Sequence, residues 1–109
     1  MRAVKHYTVA ELTVTERGWA RDYVRDVTPM VERHGGRYLA RTTTIERVEG
    51  ERELPQLLMI IEWPDRDAAS GFFESEEYRP YRERRRAGSR GEFVVVPGED
   101  VNGLARIGA

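Results

Sequence analysis

A helical pattern ends at His34, and a strand pattern begins three residues later. Trp19, Tyr23, Val27, Met30, Val31 and His34 recur at the spacing of one helix face. Gly35 and Gly36 follow, and they predict the positive-φ conformations of a helix C-cap and a tight turn. After them, Arg37-Tyr38-Leu39-Ala40-Arg41 alternates apolar or small residues with arginines, which reads as a strand. Such a junction narrows the fold to one in which a helix feeds a strand directly. It also gathers an imidazole, two arginines and a tyrosine at one end of a sheet.

The remaining segments complete a repeating order. Val4 to Leu12 predicts a first strand, and Thr15 with Glu16 predicts an N-cap and acidic first turn for the helix that ends at His34. Pro29 predicts a kink or a division of that helix near Val27. A second strand runs from Gly36 to Arg47, and the chain turns at Glu49-Gly50-Glu51. Leu57 to Trp63 is the most apolar run and forms a third strand. Pro64-Asp65 opens a short helix that buries Ala68, Ala69, Phe72 and Phe73. Ser75 to Arg86 forms another helical segment around Pro80, and Glu92 to Pro97 a fourth strand. The order βαββαβ predicts a ferredoxin-like α+β domain over residues 1–98, an antiparallel sheet with helices on one face. Residues 99–109 read as an arm or disordered tail. Leu58 and Ile60 face opposite to Leu57, Met59, Ile61 and Trp63, so the third strand is apolar on both sides. A second protomer's sheet is the expected cover.

Composition removes several classes of function. The 109 residues suffice for one domain with a single core. The 18 basic and 19 acidic side chains give a net charge of −1, which favours neither nucleic acid nor an anionic membrane. The absence of cysteine excludes disulfides, a thiolate nucleophile and thiolate metal ligands, and it suits a reducing cytoplasm. The start of the chain has no apolar leader pattern, and no run approaches membrane-spanning length. Two distant histidines give no metal-ligand spacing, and Gly35-Gly36 lacks the strand-before-helix context of a dinucleotide motif. The expected chemistry is cofactor-free.

The stretch Tyr7 to Leu12, the turn His34-Gly35-Gly36-Arg37-Tyr38, Arg41, Glu49-Gly50, Glu62-Trp63-Pro64 and Ser75 with Glu77-Tyr78 together carry a resemblance. In order and spacing, from about Tyr7 to Gly98, they resemble the domain-of-unknown-function family 1330 of the dimeric α+β barrel superfamily. The resemblance implies that fold and a homodimer. It implies function only loosely, because superfamily relatives include monooxygenases, isomerases, dehydratases and cyclases beside proteins with no shown catalysis. Where the family pattern follows the strand-two arginine with glycines, this chain has Thr42-Thr43-Thr44.

Three residues are candidates for catalysis. His34 sits where the helix macrodipole favours a cation, which suits a general acid or an anion anchor. The plainer reading is a side chain that bonds the last helix carbonyls. Glu62 falls on an apolar sheet face and needs a partner there; Arg41 on the next strand is the natural one, since Arg37, Leu39 and Arg41 alternate onto one face. That pair could hold a substrate oxygen and exchange protons, or only fix strand register. Tyr7, Tyr23, Tyr78 and Trp63 are candidates for lining a substrate cavity, although aromatics at such spacing are often core. The run Arg82, Arg84, Arg85 and Arg86 lies among Glu74, Glu76, Glu77 and Glu83 and reads as a self-paired solvated face.

The leading expectation is an enzyme that cyclises, isomerises or dehydrates an aromatic or polyketide-like metabolite without a cofactor. The alternative is a non-catalytic ligand-binding or structural dimer.

Overall fold

The computed structural model describes residues 4–107; the two ends of the predicted 1–98 and 99–109 segments lie outside the described residues. Seven elements follow in order: β1 (His6–Val14), α1 (Ala20–Arg33), β2 (Arg37–Thr42), β3 (Leu57–Trp63), α2 (Arg66–Phe73), α3 (Arg79–Ala87) and β4 (Ser89–Pro97). The strands form one antiparallel sheet in the order β2-β3-β1-β4. This is the ferredoxin-like α+β arrangement that the βαββαβ pattern predicts.

The period-two pattern of β1 and β3 places Thr8, Ala10 and Leu12, with Met59, Ile61 and Trp63, on the side that the helices cover. Against them pack Val27, Met30 and Val31 of α1 and Ala69 and Phe72 of α2. Helices of eight and nine residues are too short to persist alone, so burial of Phe72 and Tyr78 against the sheet is what holds α2 and α3. The buried indoles satisfy their N–H groups: Trp63 donates to Thr8 Oγ1 at 2.8 Å and Trp19 to the Gly88 carbonyl at 3.0 Å.

Several boundaries differ from the sequence reading. The helix after β1 starts at Ala20, not at Thr15, and it has no side-chain cap. The backbone N–H groups of Thr15 and Glu16 donate instead to the Gly88 carbonyl, at 2.9 and 3.0 Å, so a contact more than seventy residues away sets the start of α1. The helix also runs through Pro29 undivided. The second strand ends at Thr42 rather than Arg47, and β4 begins three residues early, at Ser89. At the helix-to-strand junction only Gly35 takes a positive φ, +89°. Gly36 is needed for space: a Cβ there would lie 2.6 Å from Val31 Cγ1 and 2.8 Å from the Trp63 ring.

One irregularity redirects side chains. In β2 Tyr38 pairs with Ile61 and Ala40 with Ile60, leaving Leu39 as an extra residue in a β-bulge. A bulge reverses the facing of everything beyond it. Arg37 therefore lies opposite Glu62 on the uncovered side, while Arg41 lies opposite Met59 on the helix side. After β4 the chain is tied to β1 by Gly98 N–H donating to Lys5 O at 2.8 Å. Asp100 then closes a turn by accepting the N–H groups of Asn102, Leu104 and Ala105.

Candidate functional site

A cavity of about 130 Å³ lies between the helices and the covered face of the sheet, partly open to solvent. Its wall is apolar apart from Thr8, Trp63 and three tyrosines, Tyr23 from α1, Tyr38 from β2 and Tyr78 just ahead of α3. The volume is close to that of an engineered protein cavity of about 150 Å³ that accepts benzene. That volume matches a one-ring compound rather than a fused-ring polyketide.

The polar centre of the cavity is a pair of phenols. Tyr23 and Tyr78 hydroxyl oxygens are 2.6 Å apart, and both side chains are buried. Burial pushes the Tyr23 hydroxyl well above the ordinary phenol range, the adjoining Tyr78 adds to this, and Arg85 opposes it. Two hydroxyl protons serve one mutual bond, which leaves one O–H to donate to a ligand oxygen.

Behind Tyr78 stands Arg85. Only 5 % of it is exposed, its Nε donates to the Tyr78 hydroxyl at 3.4 Å, and its guanidinium lies over the Phe93 ring at 4.0 Å. Among the described residues no carboxylate lies within 4.0 Å of it, whereas Arg82 and Arg86 on the same helix both reach Glu83. Burying an ion costs several kcal/mol after relaxation. A desolvated cation–π contact returns about 2 kcal/mol.

The residues singled out from the sequence divide. Tyr23, Tyr78 and Trp63 line this cavity; Tyr7 does not. Tyr7 lies on the uncovered sheet face, where its hydroxyl donates to Glu62 Oε2 at 3.3 Å; burial and the Glu62 carboxylate push its ionisation up. Glu62 also meets Arg37 at 3.2 Å and Lys5 at 3.7 Å. The expected Arg41–Glu62 pair does not form, because the Leu39 bulge separates the two residues onto opposite faces. Arg41 instead donates to Thr28 Oγ1 of α1 at 2.9 Å and covers the Tyr38 ring at 4.4 Å. His34 stands at the end of α1 with Nδ1 2.9 Å from the Met30 carbonyl and 3.7 Å from Glu77 Oε1. A carbonyl only accepts, so Nδ1 carries the proton. The imidazole meets the cavity only through Phe72, whose ring it approaches edge-on at 5.7 Å. His34, Arg41 and Glu62 therefore do not converge.

The sequence reading missed Arg85 and Tyr38. Arg85 was placed with the solvated arginine run, yet it follows Tyr78 by seven residues, two helical turns, and shares its inward face. Tyr38 reads as a strand residue at the end of the sheet, but not as a cavity-lining one; its alternation with Arg37 is the available signal. Among the described residues no group of His, Asp or Glu could hold a metal ion, and no helix is long and apolar enough to cross a membrane.

Solved structures with the same architecture include a protein of unknown function from Rhodopseudomonas palustris, RPA0582. It superposes with a TM-score of 0.74 at 18% identity, covering 87% of this chain and 82% of that one. SnoaB from Streptomyces nogalater, described as a cofactor-independent oxygenase, superposes with a TM-score of 0.65 at 19% identity, over 91% of this chain and 97% of that one. At such identity the likeness shows the fold alone, a four-stranded antiparallel sheet with helices on one face. None of the curated proteins matches the sequence. The profile of a family described as Domain of unknown function (DUF1330) does match, over residues 5–99, which takes in all four strands and all three helices. The chain belongs to the DUF1330 family.

Proposed function

We propose that this protein is a cofactor-independent enzyme that moves a proton on a small, planar carbonyl or aromatic compound bound between the helices and the sheet. The observation that carries the reading is the Tyr23–Tyr78 hydroxyl pair, buried in an otherwise apolar cavity with one O–H to spare. A fixed donor in a water-poor site stabilises charge as it develops on a substrate oxygen, which is what enolisation, and the isomerisation, cyclisation or dehydration that follows it, requires; the proton that leaves carbon passes to a solvent base at the cavity's open side. SnoaB, with the same fold, is an oxygenase that works without a cofactor, and this supports catalysis by side chains alone on such a scaffold. In this reading His34 and Arg41 act as positioning groups that back Phe72 and Tyr38. Glu62 belongs to the opposite face of the sheet.

That opposite face supports a homodimer. Val94 is 49% and Val96 41% exposed, next to Val9, Leu58 and Ile60, and the patch is rimmed by the Glu62–Arg37 and Glu11–Arg52 pairs. An apolar sheet face of this kind is covered by a second copy in the paired form of the fold.

The test is proton exchange. Small one-ring ketones and phenylacetyl compounds incubated with the protein in D2O are expected to gain deuterium at the acidic carbon faster than in buffer, and Tyr23→Phe and Tyr78→Phe are expected to slow the gain. No exchange above buffer across such a panel, with no ligand retained, overturns the reading.

A further inference from the structure

The assignment of the cavity as the substrate site leaves one charge without a counterpart. Arg85 is buried, carries five N–H donors, makes a hydrogen bond to Tyr78 and covers Phe93, and has no carboxylate neighbour among the described residues. The groups that the structure sets against it are neutral: Tyr78 from the turn before α3, with Tyr23 of α1 beyond it, and the Phe93 ring from β4. No Asp, Glu or His lines the cavity. Burial alone disfavours an anion there, as the raised Tyr23 shows; Arg85, behind the lining, is the one group that opposes this.

We propose that the ligand supplies the counterpart to Arg85: the cavity takes a planar one-ring compound whose conjugated oxygen is anionic when bound, a phenolate or the enolate of a carbonyl compound. The oxygen would accept from the Tyr23–Tyr78 pair, with Arg85 behind Tyr78 as a positioning residue whose charge is transmitted through the phenol hydroxyl. This rests on the cavity being the substrate site, and it adds the charge state in which the substrate is held. It also explains why α3 retains one arginine facing inward among several that face acidic neighbours.

The probe is para-nitrophenol, whose phenolate absorbs at longer wavelength than its phenol, with nitrobenzene as an uncharged counterpart of similar shape. Titrated across neutral pH with the wild-type protein, the bound probe is expected to ionise at lower pH than the free probe. The phenolate should bind about tenfold tighter than the phenol, as a charge-assisted hydrogen bond implies. Arg85→Lys should keep part of that preference and Arg85→Met should abolish it, while nitrobenzene raises the melting temperature of all three proteins alike. If the wild type binds phenol and phenolate equally, or the preference survives in Arg85→Met, the anion assignment falls and the cavity reading stands. If the wild type binds neither probe, the cavity reading falls and takes this one with it. Should Arg85→Met fail to fold, the wild-type titration still decides, because it compares bound with free probe in one protein.

Discussion

At the scale of single residues, two positions carry more than their type suggests. Gly36 has ordinary backbone angles, but its missing Cβ is the space filled by Val31 and Trp63. Gly36→Ala should lower stability by about 1–3 kcal/mol, the usual cost of overpacking, read as a reduced urea midpoint with an unchanged slope. Tyr23 is the second. Its hydroxyl is held neutral first by burial and then by Tyr78, so the folded protein retains a proton that the unfolded chain releases at the ordinary phenol value of 10.0. The sign follows: this contribution is complete below that value and is lost as pH rises through the higher folded value. Urea midpoints measured from about pH 9 to 11 should fall more steeply for the wild type than for Tyr23→Phe. At neutral pH the same variant should be about 1–2 kcal/mol less stable, because the Tyr78 hydroxyl loses its buried partner.

Among the elements, those that the sequence located were those whose signals are local. β3 has its predicted bounds because an apolar run ends at Pro64, and α2 begins where Asp65 accepts from Ala68 N–H at 2.8 Å. Asp65→Ala should therefore cost about 1 kcal/mol, seen as a lower melting temperature with α2 fraying first in amide exchange. The start of α1 was not legible, since Gly88 and Trp19 set it from across the fold. The facing of Arg41 was hidden for a related reason: alternation counts residues, and a bulge adds one that only the pairing with β3 reveals. Of the candidate site, the aromatic wall was readable from helical spacing. The inward Arg85 was not, because a run of arginines beside glutamates carries no mark of which one the core will claim. Of the expected catalytic trio, His34 comes from the helix end and Arg41 and Glu62 from alternation on two adjacent strands; the bulge leaves Glu62 on the uncovered face and Arg41 on the helix side.

For the molecule as a whole, the two sheet faces have separate duties. The covered face holds the cavity, and the uncovered one carries the apolar surface that the proposed dimer would bury. Val94 lies at the middle of that surface and is half exposed in the protomer. Val94→Glu should change protomer stability by no more than about 0.5 kcal/mol while abolishing assembly. Light scattering should then report a mass near 12.6 kDa in place of about twice that for the wild type. An unaltered mass in the variant, or a single-chain mass in the wild type, would remove the dimer from the account.

The bulge at Leu39 has an effect beyond the aiming of two arginines. β2 is an outer strand of the sheet, so one of its flanks carries backbone donors and acceptors with no strand beside them. Such a flank is a template on which another chain can lengthen the sheet, the first step toward fibrous aggregates. An unpaired residue breaks the regular rhythm that an incoming strand must match, and Arg37 and Arg41 add like charge on either side of the break. The irregularity that complicates β2 as a sheet member therefore makes it a poor seed for uncontrolled growth.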